Sequence, residues 1–106
     1  MITHNVNELS EAYIQTQIYA YLRKAGIYFR RLNVVSAHRH KNPLCLGVPD
    51  ILAMTKGRVL FIEVKQAKGK MSDEQLDFQI NAEKNGQNYI LARSVDDVVR
   101  WVNRLQ

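Results

Sequence analysis

Residues 47 to 65 read GVPDILAMTKGRVLFIEVK, and this stretch decides the fold. Val48 to Thr55 is an apolar run that predicts a strand, with Pro49 tolerated because it stands at the strand start. Lys56-Gly57 predicts a tight turn, and Arg58 to Gln66 predicts the returning strand of a hairpin. Alternation then sorts the second strand. Val59, Phe61, Glu63 and Lys65 share one face, while Leu60, Ile62 and Val64 share the other. Glu63 and Lys65 thus fall together at the end of a strand with apolar residues on both faces. A buried charge needs a partner, so Glu63 and Lys65 must be paired or bound to an ion.

The pattern extends outward on both sides. After the hairpin, AKGK (67–70) is a basic turn. A helix follows, with Ser72 and Gln75 in capping-box positions and Met71 and Leu76 in staple positions. It runs through Phe78 and Ile80 to a stop at Gly86. Asn88 to Arg93 predicts a fourth strand. Ser94 with Asp97 predicts the cap of a last helix with the face Val98, Trp101, Val102 and Leu105. Before the hairpin, residues 1 to 7 predict a loose start. Leu9 to Ala25 predicts a helix, with Ser10 as N-cap, Gly26 as stop and the stripe Ile14, Ile18, Leu22 and Ala25. Glu11 extends that stripe one turn back. Such an acid either answers the helix dipole or points into a site at the edge of the core. Ile27 to Val35 predicts a strand, and Ser36 to Leu46 a long basic loop of the kind that binds.

The order α-β-β-β-α-β-α implies one sheet with helices packed on it. The third strand, helix and fourth strand imply a right-handed parallel crossover, and the hairpin makes the sheet mixed. The 106 residues predict one domain spanning 1–106. No apolar run is long enough to span a bilayer, so no membrane partner is expected. The N-terminus lacks the order of a signal peptide. The lone Cys45 excludes an internal disulfide framework and fits a reducing cytosol. Cys45, His38 and His40 lack the paired spacing of structural zinc sites.

Net charge is +5, and its distribution is uneven. From Arg23 to Lys70 there are eleven Lys and Arg, and the only acids are Asp50 and Glu63. Elsewhere eight acids face four bases. A solvated face is the ordinary reading of surface charge. Segregation of this kind points instead to a polyanionic partner, nucleic acid. Arg39 and Lys41 in the loop, with Lys68 and Lys70 in the basic turn, are the expected backbone contacts.

Two carboxylates on neighbouring strands can hold Mg²⁺ with waters and a substrate phosphate completing the shell. Lys65 adds a point charge able to orient a water or stabilise a phosphorane. Such a trio could also be a structural ion pair. Gly-x-Pro-Asp, twelve residues, then Glu-x-Lys resembles the PD-(D/E)xK nuclease signature. With Glu11 before it, and GKMSDEQ and NYILARSVDDV after it, residues 10 to 102 resemble the VRR-NUC (virus-type replication-repair nuclease) family, in its stand-alone phage and bacterial form.

That resemblance implies a restriction-endonuclease-like α/β fold: an αβββαβ core with a mixed four-stranded sheet, followed by a C-terminal helix. It implies Asp50, Glu63 and the Val64 carbonyl as ligands of Mg²⁺ or Mn²⁺, with Glu11 reaching the metal directly or through water. It implies Lys65 as the catalytic lysine and Gln75 as the family glutamine, although Gln75's capping role competes with that. It further implies a homodimeric endonuclease acting on branched DNA such as Holliday junctions, leaving 5′-phosphates, in the cytoplasm of a bacterial or phage-infected cell. Two other readings stay open. One is a non-catalytic nucleic-acid-binding module retaining the fold; it would bind DNA in a salt-sensitive way without cleavage. The other is a hydrolase directed at RNA or nucleotides, because a basic patch reads backbone and not sugar.

Overall fold

A computed structural model describes residues 9–32 and 43–105. Helix α1 (Glu11–Lys24) starts where the Ser10 hydroxyl accepts the Tyr13 N–H at 3.1 Å, and ends before Gly26 at φ +71°. Its first-turn Glu11 and last-turn Arg23 and Lys24 match the helix dipole. Strand β1 is Tyr28–Arg31, with Ile27 and Leu32 of the predicted run just outside it. Asn33 to Val35, residues 1–8 and 33–42, and with them Arg39, Lys41, His38 and His40, lie outside the described residues. A 3-10 turn at Pro43–Cys45 leads towards β2 (Ile51–Thr55).

The β2–β3 hairpin turns on Lys56 and Gly57, both left-handed at φ 51° and 75°, which matches the twist of the flanking strands. Strand β3 is Arg58–Val64 and pairs antiparallel with β2 in the register Thr55↔Arg58. Both strands are shorter than predicted, since Pro49 cannot donate to a ladder and stays before β2. Helix α2 (Asp73–Lys84) begins with a complete capping box at Ser72 and Gln75. Leu76 remains 42% exposed, so the cap rather than a buried staple fixes this start. Strand β4 (Asn88–Ala92) pairs parallel with β3, giving a mixed sheet in the order β1-β2-β3-β4. Helix α3 (Val95–Asn103) closes the described chain.

The expected Ser94 cap takes a different form. Ser94 holds the N-cap position, but its hydroxyl makes no capping bond. Asp97 instead accepts the Arg93 N–H at 2.8 Å, tying the helix start back to the end of β4. Ile14, Ile18 and Leu22 of α1 and Val98 of α3 are buried against Ile51, Leu60, Ile62 and Val64 of the sheet. Trp101 and Val102 pack on the same core. Helices α1 and α3 therefore cover one face. Helix α2 packs on the β4 side of the other, where Phe78 meets Phe61 edge-on at 5.1 Å. No helix among the described residues is long and apolar enough to cross a membrane.

Candidate active site

The hairpin register builds the site. Ile51 pairs with Ile62, so the next rung sets Asp50 opposite Glu63. Ile51 and Ile62 point to the α1 face, which sends Asp50 and Glu63 to the α2 face. Both acids are buried, Asp50 at 7% and Glu63 at 2% exposure. Asp50 Oδ2 accepts the Val64 N–H at 2.7 Å, a backbone bond that fixes this carboxylate beside Glu63.

Glu63 is the unsettled group. Its Oε2 accepts from Gln75 Nε2 at 3.1 Å, while its buried Oε1 has no hydrogen-bond partner. Burial raises its pKa to about 8, helped by the Asp50 charge, by the hydrogen bond the protonated acid would share with Asp50 and, least, by Glu11; only Lys65 opposes this. One acid can donate to the other only while it carries a proton. A buried carboxylate pair with an unused acceptor oxygen is a site short of positive charge.

Gln75 resolves the competition between its two expected roles, because one amide has both an acceptor and donors. Its Oε1 accepts the Ser72 N–H at 2.9 Å in the capping box, and its Nε2 serves Glu63. The cap therefore aims the amide at the site. Gly47 has a physical reason of its own. At φ +78° it lies against the first turn of α2, and a Cβ there would overlap the backbone of Glu74 and meet Gln75 N at 2.9 Å. Only glycine lets the segment leading to Asp50 approach the helix that carries Gln75.

Lys65 lies one residue beyond β3, half-buried, with its N–H on Ala92 O at 3.0 Å. The loop after it folds back, since a methyl group placed on Gly69 would stand 3.5 Å from Lys65 Cβ. Arg93 holds that loop. One guanidinium nitrogen donates to the carbonyls of Gln66 at 2.6 Å, Gly69 at 2.8 Å and Ala67 at 3.1 Å. The exposed Lys68 and Lys70 stand on the same loop. Sequence reading missed Arg93, because the carbonyls it gathers are 24 to 27 residues away and carry no side-chain signal. Glu11 sits in the first turn of α1, within electrostatic reach of Glu63.

The donor set tests a divalent ion. Among the described residues no three His, Cys, Asp or Glu side chains form one ligand group. Two carboxylates, with backbone oxygen and water, nonetheless suit Mg²⁺, which is usually held by one or two carboxylates. The orphaned Glu63 Oε1 and the raised Glu63 pKa are what such a cation would relieve.

No family model matches the sequence, and no curated protein matches it. Among solved structures, the chain is similar to one described as a VRR_NUC domain. The match covers 88% of this chain and 94% of that one, with a TM-score of 0.69 and 23% identity. The chain has the fold of a VRR_NUC domain: a mixed four-stranded sheet with flanking helices and a C-terminal helix.

Proposed function

We propose that this chain is a divalent-cation-dependent nuclease of the VRR-NUC family that hydrolyses phosphodiester bonds in DNA. The observation that carries the reading is the buried Asp50–Glu63 pair, with one carboxylate oxygen unpartnered, beside Lys65. The VRR_NUC-like fold supports it.

Asp50 and Glu63, with the Val64 carbonyl, would hold Mg²⁺ or Mn²⁺, which supplies an activated water and a counter-charge for the phosphorane oxygens. The Val64 N–H keeps Asp50 in position, and Gln75 keeps Glu63 from rotating away. The Lys65 ammonium is the mobile positive charge at the strand end. It orients the attacking water and offsets charge on the phosphate as the bond breaks. Glu11, in the first turn of α1, would reach the ion directly or through water. Lys68, Lys70, Arg39 and Lys41 contact the flanking backbone. The substrate is branched DNA and the working unit is a homodimer, since one site in one small domain cannot cut two strands together.

The test is a panel of duplex, flap, splayed and four-way substrates, incubated with Mg²⁺ or Mn²⁺ and with cut sites mapped. Cleavage that needs the ion and favours branched substrates supports the reading. Tight, salt-sensitive binding with no cut under any divalent ion supports the binding-module reading instead.

A further inference from the structure

Strand β1 is a sheet edge, and half of the sheet face beside it is bare. Helix α2 packs on β4 and on Phe61 of β3. Among the described residues no helix packs on β1 or β2 on that face. The face is identified by register: Tyr28↔Met54↔Val59 is one rung and Arg30↔Leu52↔Phe61 is the next. The rung after that is Asp50 and Glu63. The candidate site and this bare strip therefore lie on one continuous face of the sheet.

Arg30 is prepared on that surface. Its guanidinium lies 4.3 Å from the Tyr28 ring centroid, and Nη1 donates to Phe29 O at 2.8 Å. The Tyr28 ring is the platform of a cation–π contact, and half of it remains exposed. Held there, the guanidinium keeps its other donors for a ligand. Among the described residues no carboxylate pairs with it, and the one ion pair is Asp97–Arg100. Strand spacing of about 4.8 Å and a rise of about 3.4 Å per residue put the Arg30 and Glu63 backbones roughly 12 Å apart. That separation is within about four nucleotide steps along a strand, at about 3.4 Å of axial rise each.

We infer that Arg30, seated on Tyr28, is a second phosphate-binding site, holding the nucleic-acid backbone a few nucleotides from the bond at Asp50 and Glu63. The ligand's identity rests on the nuclease reading above. Charge selects this occupant over a second copy. The only acids on or beside the sheet strands are Asp50 and Glu63 themselves; on this face β1 contributes Arg30, while Arg31 and Arg58 alternate to the other face. A second copy docked here by a two-fold would offer Arg30 no acid outside the candidate site, whereas a phosphate backbone offers one at every step.

The experiment measures binding of a labelled DNA duplex by anisotropy in EDTA, where no cleavage is needed. Phosphates are replaced one at a time by uncharged methylphosphonates. Arg30→Ala is expected to weaken binding about tenfold and to flatten the salt slope by about one. Arg30→Lys should recover part of the loss. One methylphosphonate position should weaken the wild type by a similar factor and leave Arg30→Ala unaffected. Equal sensitivity of both proteins at every position overturns the inference. So does a change in sedimenting mass of Arg30→Ala, which would assign the face to a second copy. Binding with this pattern but no cleavage under Mg²⁺ refutes the nuclease reading alone and leaves the Arg30 site standing.

Discussion

Replacing Glu63 by Gln should stabilise the metal-free protein, and the gain should depend on pH. Glu63 passes from an ordinary carboxylate pKa near 4.5 when unfolded to about 8 when folded, chiefly through burial. Its folded pKa is raised, so the protonated acid is the form that folding prefers. The cost of Glu63 is absent below the unfolded pKa, grows through the window from 4.5 to about 8, and is complete above it. At about 1.4 kcal/mol per tenfold, that cost reaches at most about 5 kcal/mol. Relaxation of the protein around a buried charge reduces this to about 3 kcal/mol, still a large part of the roughly 5–15 kcal/mol of a small domain. Glutamine copies the neutral acid: its carbonyl can accept from Gln75 and its NH₂ can donate to Asp50. Urea unfolding of wild type and Glu63→Gln in EDTA, from pH 4 to 9, should give curves that coincide at the acid end. They should diverge by about 3 kcal/mol by pH 8.5, with the variant the more stable. Added Mn²⁺ should close the gap by stabilising only the wild type. A pH-independent difference, or a variant weaker than wild type at pH 8.5, would refute the buried-carboxylate account.

Three further outcomes follow from the same geometry. Gly47→Ala must hold a left-handed conformation while overlapping the Glu74 backbone. It should cost about 2–4 kcal/mol in chemical denaturation, and the surviving folded protein should cleave poorly because Asp50 and Gln75 are driven apart. Gln75→Ala should lose about 1 kcal/mol of helix stability with the cap. Gln75→Glu should keep the cap yet share the activity loss, so denaturation and cleavage rates of the pair separate the two roles. Arg93→Ala releases three carbonyls of the loop after Lys65. It should cost about 1–2 kcal/mol and speed tryptic cutting at Lys68 and Lys70, as read by peptide mass.

The hairpin was readable because its signals were local. A two-residue Lys-Gly turn sets the register, and alternation then puts Glu63 opposite the residue before Ile51. The capping box at Ser72 was equally local, and it formed as written. Strand ends were less legible. Pro49 delays β2, and β3 ends at Val64, two residues before the predicted Gln66. The dual role of Gln75 was hidden because capping and Glu63 contact look exclusive until the amide's two ends are placed in space. Arg93 was invisible for a different reason: its partners are backbone oxygens brought near only by the parallel pairing of β3 with β4. The close approach behind Gly47 likewise depends on where α2 lands.

The activity proposed for Asp50, Glu63 and Lys65 is cleavage of a phosphodiester with a bound divalent ion. Single-turnover cleavage of an end-labelled DNA strand, with Mn²⁺ and enzyme in excess, tests it most directly when wild type is set against Lys65→Ala. The account predicts that the variant binds the strand as the wild type does but cuts it slower by about 10²–10³-fold. Equal cutting by the two proteins would contradict it.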